Sequence, residues 1–318
     1  MKAVVTGGAG FVGSSLVDQL IESGAEVHIV DNFSKGRREF LEQKPVTVHE
    51  LDLLDADISL EEIFTGADCV YHLAANADVR YGWDYPFRDL EQNVTATIRV
   101  ADSCVRAGVT ELVFSSTGSV YGEAKVIPTP ETEEFPIQTS LYGASKTAAE
   151  GFLAAFAETG NLKVTVMRFV SVLGPRYTHG HVLDFVTQLT DHPDLLEVLG
   201  NGGQKKSYMH IDDCVRALMH LRGAQPFEVF NLGTSEFCTV RDSIGWIVSE
   251  LGVSPEIRFG EEDRGWVGDN PFIFLDVTKA KDQGWQTIQT IESSVIETVR
   301  WIRANDWALD LASCRNEK

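Results

Sequence analysis

The chain has 318 residues, 43% hydrophobic and 23% charged, with 27 basic against 47 acidic side chains and a net charge of −20. That is a soluble globular composition with enough length for a large core, and its negative charge argues against nucleic acid or an anionic membrane as partner. No apolar run approaches the ~18 residues of a membrane span, the start MKAVVTGG has no signal-peptide layout, and the five cysteines are scattered without metal-ligand spacing. A cytoplasmic chain with reduced thiols and no metal is expected.

Strand patterns begin at once. KAVVT (2–6), EVHIV (26–30), VTVHE (46–50), CVYHL (69–73), ELVFS (111–115) and VTVMRFV (164–170) are β-branched runs, separated by helical periodicity over 11–23, 87–108 and 143–159. Strand and helix alternating in this way predict an α/β Rossmann fold, a doubly wound parallel sheet buried on both faces. After residue 170 the rhythm breaks into loops, VFNLG (229–233) reads as one more sheet strand, and two helical patterns follow over 239–251 and 290–304. The expected division is a nucleotide-binding domain of 1–168 plus 208–235, and a smaller, discontinuous α/β substrate domain of 169–207 plus 236–318.

The first strand runs into TGGAGFVG, in which Gly8, Gly10 and Gly13 satisfy GxGxxG and Gly7, Gly10 and Gly13 the GxxGxxG variant. Glycines there permit a tight turn, let backbone amides approach a pyrophosphate, and aim the N-terminus of the next helix at the anion. The pattern alone is weak, but here a strand precedes it and a helix and second strand follow. That second strand ends at Asp31. A carboxylate there accepts from both ribose hydroxyls and repels a 2′-phosphate, which favours NAD over NADP. Arg37 and Arg38 follow closely but read as solvated loop residues.

The stretch SLYGASKTAAEGF places Tyr142 and Lys146 four residues apart, on one helix face. A YxxxK spacing is commonplace and by itself reads as an ordinary helix surface. The wider set of motifs resembles the extended short-chain dehydrogenase/reductase superfamily, in its nucleotide-sugar epimerase and dehydratase branch. The marks are TGGAGFVG, LDLLD around Asp52, HLAA at 72–75, Asn93, SSTGSVYG at 115–122, YGASK at 142–146, RFVSVLGPR at 168–176, YMHIDD at 208–213 and LDVTKAKDQGW at 275–285.

The resemblance implies that Tyr142 is the base and that Lys146 holds the nicotinamide ribose and lowers the tyrosine pKa from its reference value near ~10. Thr117 would bind the reacting sugar hydroxyl and share its proton with Tyr142. Gly7, Gly10, Phe11, Val12, Gly13, Asp31, Asn32, Asp52, Leu53, Leu73, Ala74, Ala75, Asn93, Ser115 and Phe169 would complete the cofactor site with the pair; Ser116 could equally be a plain strand-end hydroxyl. Dehydratases of the family carry an Asp-Glu pair directly after the threonine, and decarboxylating relatives commonly use the Glu; this chain has Gly118 and Ser119.

On the substrate side the family's usual asparagine is Ser171, one phosphate-reading arginine is Lys206, and another is Trp266, with Arg264 two residues earlier. Lysine keeps the charge but loses the bidentate fork. Arg264 is expected to reach the diphosphate in compensation, the alternative being a loop ion pair with Glu261 or Asp263. His179 and His181 read as surface histidines, His210 as strand–helix packing, and Trp285 and Trp301 as core or domain-interface packing. The resemblance thus implies an NAD-dependent nucleotide-sugar epimerase, with 4-epimerisation of a UDP-hexose through a transient 4-keto sugar and bound NADH as the leading reading. Relatives pair the helices around 87–108 and 143–159 into a homodimer. The alternatives are a reductase or other epimerase or dehydratase of a nucleotide-linked deoxy-keto sugar, and a non-catalytic NAD-binding redox sensor, a class that tends to lose the Tyr-Lys pair.

Overall fold

β1 (Lys2–Thr6) is buried past its first residue, as expected of a central strand covered on both faces. In the computed structural model, which describes residues 1–80, 82–134, 137–159, 161–266 and 268–313, β1 is followed by helix α1 (Phe11–Glu22) and β2 (Glu26–Asp31). Then come β3 (Val46–Glu50), β4 (Cys69–His72), β5 (Glu111–Thr117) and β6 (Lys163–Phe169). The strand Phe227–Leu232 lies outside β6, and the sheet then runs β5, β4, β1, β2, β3, every pair parallel. The order reverses between β1 and β4. Open parallel sheets bind ligands outside the carboxyl ends of their strands at such a switch point.

One apolar cluster, with Leu16, Ile29, Tyr71 and Trp285, covers one face of the sheet; another, with Val4, Phe64, Val100 and Leu153, covers the other. Trp285 is therefore core as read, and the half-buried Trp301 packs on Phe40 and Trp307. The expected helix over 87–108 runs without a break from Pro86 to Ala107, with one α-helical turn Pro86–Asp89, a π-helical stretch Leu90–Thr95 and the α-helix Ala96–Ala107. The helix Leu141–Thr159 stands where YGASK predicts it.

The helix His181–Asp191, hidden in the sequence behind a loop rich in Gly and His, buries Val182, Leu183, Phe185, Val186 and Leu189. That is one helical stripe. Off the main sheet, Ser171–Leu173 pairs with Tyr208–His210, Leu195–Val198 with Glu256–Phe259, and Lys205–Lys206 lies between Cys238–Thr239 and Phe272–Ile273.

The turn between β1 and α1 leaves no room for side chains. A Cβ on Gly13 would stand 2.0 Å from the Gly7 carbonyl oxygen and 2.8 Å from the Gly8 Cα. Both obstacles are backbone, so α1 has to retreat. Gly13→Ala should cost about 1–3 kcal/mol by overpacking, read as a fall in melting temperature, together with a weakened affinity for NAD measured by calorimetry.

Candidate active site

Gly7 has φ 71°, and a Cβ there would meet the Ala74 backbone nitrogen at 2.7 Å. The first turn therefore lies directly against the chain leaving β4, which places the half-buried Leu73, Ala74 and Ala75 at the switch point. No side chain caps α1 at Gly10, so the first-turn N–H groups of Phe11, Val12 and Gly13 stay available to an anion. The Phe11 ring itself turns away and packs edge-on against Tyr177, 5.8 Å between centroids.

Asp31, at the end of β2, is 8% exposed and accepts from the Ala9 and Phe33 N–H groups at 2.9 and 2.8 Å. Burial raises its carboxyl above the ordinary range while those two N–H groups oppose the shift. Beside it the Asn32 amide donates to Asp52 at 2.9 Å, and Asp52 also accepts from the Leu54 N–H at 2.8 Å, with Leu53 buried between them. Arg38 stacks on Phe33 at 4.0 Å and pairs with Glu50 at 2.6 Å; Arg37 lies over Trp307 at 4.4 Å. Arg38 is exposed, in keeping with its solvated reading, whereas Arg37 departs from it: it is half-buried and its Nε is shielded from solvent.

The Tyr142–Lys146 face of its helix lies on the end of β5. Lys146 is 2% exposed, donates to the Ser115 carbonyl at 2.9 Å and sits 4.7 Å from the Phe114 ring centre. Burial pushes its ammonium down to about 7 against the pull of Glu150 and Asp89. The half-buried Tyr142 phenol is pushed up to about 12, chiefly by burial; the Thr117 hydroxyl lowers it and Asp89 raises it. In the protein alone the phenol thus moves the opposite way from the lowering expected of a Tyr-Lys pair, because the ammonium is turned to the Ser115 carbonyl and desolvation dominates. Thr117 also donates to the Ser119 hydroxyl at 3.2 Å and accepts from the Ser119 N–H at 3.1 Å. Ser115 Oγ donates to the His72 carbonyl at 3.2 Å.

Asn93 is placed differently from an open cofactor contact. It is 1% exposed, and its amide is used within the protein: it donates to the Asn76 carbonyl at 3.1 Å and Ser145 Oγ at 2.9 Å, and accepts from the Asn76 N–H at 2.8 Å. It braces the chain after β4 against the catalytic helix. Asp89, 1% exposed and bonded to the Asn76 amide at 2.8 Å, and Glu150, four residues beyond Lys146, are buried acids that the motif reading passed over. The helical spacing of Tyr142, Lys146 and Glu150 was the available signal for the second.

On the other side of the sheet's end, Ser171 is exposed and stands opposite Tyr208, while Phe169 is half-buried at the tip of β6. Lys206 pairs with Asp269 at 2.8 Å and donates to the Asn270 carbonyl. Arg264 pairs with Glu123, rather than with Glu261 or Asp263. The indole N–H of Trp266 is buried without a protein partner. His210, 1% exposed, packs at the strand–helix junction as read, and in addition accepts from the Asp212 N–H at 3.2 Å and so caps the helix. His181 departs from its surface reading: it is half-buried, bonded to Ser243 at 2.8 Å, and burial pushes it down to about 4.

What the strand ends converge on is a space that asks for a pyrophosphate at α1, ribose hydroxyls at Asp31 and a reacting hydroxyl near Tyr142, and that combination defines the Rossmann class of dinucleotide-dependent enzymes. Residues 3–233 match the NAD dependent epimerase/dehydratase family, and the chain belongs to it. It is 31% identical to a UDP-glucose 4-epimerase of Mycolicibacterium smegmatis over 314 residues, 95% of this chain and 99% of that one. It is 30% identical over 313 residues to UDP-glucuronic acid decarboxylase 1 of Xenopus tropicalis, 95% of this chain and 72% of that one. Among solved structures, a Thermotoga maritima UDP-glucose 4-epimerase with UDP-glucose superposes with TM-score 0.87 at 35% identity, covering 96% of this chain and 99% of that one.

The cost of the buried ammonium is measurable. Because the Lys146 value in the fold, about 7, lies below its ordinary 10.5, burying the charged form opposes folding. That cost is fully present below about pH 7 and disappears as the pH rises toward 10.5. Lys146→Met should therefore raise the melting temperature of the cofactor-free protein by a few degrees in mild acid, with the gain fading in alkali, while turnover is lost.

Proposed function

We propose that the protein is a nucleotide-sugar 4-epimerase acting on a UDP-hexose. The observation that carries this reading is the packing behind Thr117. A Cβ on Gly118 would meet Ile273 at 3.1 Å and Leu275 at 3.4 Å, and Ser119 presents only a hydroxyl, bonded to Thr117. The site therefore has no carboxylic acid at the two positions where water elimination or decarboxylation in the family draws one. Identity does not separate the two named activities, at 31% and 30%. The residues after Thr117 do.

In this reading Gly7, Gly10, Phe11, Val12 and Gly13 bind the pyrophosphate through backbone. Asp31 and Asn32 bind the adenosine ribose, Asp52 and Leu53 lie beside the adenine, and Leu73, Ala74, Ala75, Ser115 and Phe169 line the path to the nicotinamide. NAD, when bound, would take the C4 hydride, give the same hydride back to the 4-keto sugar, and place a positive charge beside the phenol. Tyr142 takes the proton of the C4 hydroxyl, Thr117 holds that oxygen, and Lys146 binds the ribose and stabilises the phenolate. The resulting 4-keto sugar turns over in the pocket, and Tyr142 returns the proton. Lys206, Arg264 and Ser171 face the nucleotide diphosphate, within the unit formed by 169–207 plus 236–318; 1–168 plus 208–235 holds the cofactor. The retained Tyr142–Lys146 pair weighs against a redox sensor.

The path of the C4 hydrogen tests the reading. Deuterium placed at C4 of UDP-glucose should remain at C4 of the product, and mass spectrometry in heavy water should find no solvent label in the sugar. Tyr142→Phe should lower kcat by at least ~10²-fold, the lower end of what a lost general base costs, with NAD still bound. Label entering C5, or stoichiometric consumption of NAD, would overturn epimerisation in favour of a dehydratase, a C5 epimerase or a net oxidoreductase.

We infer also that two copies associate through the face formed by the helices Ala96–Ala107 and Leu141–Thr159. Next to that pair stand Trp83 at 62%, Tyr85 at 45%, Phe87 at 70% and Leu90 at 49% exposure, with Phe152 at 47% on the catalytic helix itself. So many large apolar groups close together mark an interaction surface. Sedimentation should give twice the 35.1 kDa of one chain, and Phe87→Glu should return it to 35.1 kDa. A wild-type monomer would sink this part of the reading.

A further inference from the structure

Three consecutive residues of β5 each meet one residue of a single helical stripe. The Ser115 carbonyl takes the Lys146 ammonium, the Ser116 hydroxyl donates to Glu150, and the Thr117 hydroxyl bears on the Tyr142 phenol. Glu150 is 6% exposed and is held from its other side by Arg168, Nε at 3.0 Å and Nη2 at 2.5 Å. Arg168 stands directly opposite Ser116 in the β5–β6 register, and Asn231 directly opposite Arg168 in the next strand. Arg168 also donates to the Tyr121 phenol at 2.7 Å, which donates in turn to Asn231 at 2.7 Å. One row across three strands thus grips a carboxylate that touches none of the ligand-facing residues.

We propose that Glu150 is a positioning residue: clamped by Ser116 and Arg168, its carboxylate holds Lys146, one helical turn before it, as a cation seated against Ser115. The proposal rests on the reading of Tyr142 and Lys146 as the catalytic pair. The groups facing Lys146 leave few other candidates. Its own helix offers Tyr142 and Glu150; the turn Pro86–Asp89 offers Asp89; β4 offers His72, which burial pushes down to about 3 and so keeps neutral; β5 offers the Phe114 ring and the Ser115 carbonyl; and β6 offers Arg168. Only Glu150 and Asp89 can be anions, and burial drives Asp89 toward its neutral form. Glu150 is the acid whose oxygens are fixed by a guanidinium and a hydroxyl, one helical turn from Lys146.

The test is the charge of Lys146 itself. The full chain, without cofactor and with 13C-labelled lysine, is titrated by NMR; the Lys146 signal is the one absent from Lys146→Met. Glu150→Gln should lower the midpoint by about one pH unit or more, tenfold in proton affinity, and Glu150→Asp should restore most of it. Arg168→Gln removes the guanidinium that clamps the carboxylate, so the midpoint should fall, and Arg168→Lys, which keeps a cation at the clamp, should restore most of it. A merely structural role would lower the melting temperature without moving the midpoint. In turnover assays the alkaline limb of the pH profile should shift with the midpoint. An unchanged midpoint in Glu150→Gln overturns the proposal. If Glu150→Gln does not fold, Arg168→Gln decides: a fall that Arg168→Lys reverses supports the proposal, and anything else overturns it. A protein that turns over no nucleotide sugar overturns the epimerase reading alone, since the NMR midpoints are read without substrate.

Discussion

An ammonium with 2% exposure is the least comfortable group in this fold, and much of the site is arranged around it. Lys146 loses nearly all of its hydration, and such a loss costs several kcal/mol even after relaxation. The Ser115 carbonyl supplies one hydrogen bond, the Phe114 ring a cation–π contact, and two buried acids the opposing charge. The compensation is incomplete, which is why its proton is held so loosely. A lysine balanced near neutrality can respond strongly to a ligand: ribose oxygens and a nearby phenolate both favour its charged form. The phenol, pushed up to about 12, is the matching half. Neither group is ready for chemistry in the protein alone, and each is poised to be shifted by the same bound molecule.

The second constraint is overall charge. A chain at −20 must bind an anionic ligand against its own field. The turn at Gly7 to Gly13 meets it with backbone dipoles, which carry no counter-ion. The side-chain cations are treated differently. Lys206 is neutralised by Asp269 and Arg264 by Glu123. If, as proposed, a diphosphate binds there, it would exchange one anionic partner for another, so part of its interaction would be offset by separating an ion pair. The Arg264 pair is exposed and weak. That of Lys206, whose Asp269 is 3% exposed, is the harder one to replace.

The sheet was legible because parallel strands covered on both faces leave unbroken β-branched runs, and the glycine turn because its spacing is dictated by backbone collisions such as Gly13 against Gly7. The Tyr142–Lys146 stripe was legible from spacing and motif together. The interior was less so. The bracing by Asn93 was not legible, since its amide bonds to Asn76 and Ser145 and no local pattern announces a partner 52 residues away. The π-helical stretch around it lies inside a continuous helix, and the pattern showed the helix but not its local widening. Glu150 and Arg168 lie on different elements, and only strand register brings them together. His181 was misplaced because a Gly-flanked histidine looks like loop until the stripe that follows it is seen as a helix.

What distinguishes the site from its water-eliminating relatives is set by packing as much as by chemistry. The chain returning from Asp269 passes Thr129, which accepts from the Asp276 N–H at 2.9 Å and donates through its own N–H to the Phe274 carbonyl at 2.9 Å. That anchors Ile273 and Leu275 over Gly118, where any Cβ meets them. Any side chain at Gly118 therefore has to share its space with those two methyl-bearing side chains, which would have to give by a few tenths of an ångström. The same segment carries Asp269 and Asn270, which hold Lys206 on the nucleotide side. One stretch of backbone, 269–275, thus packs against both Gly118 and Lys206.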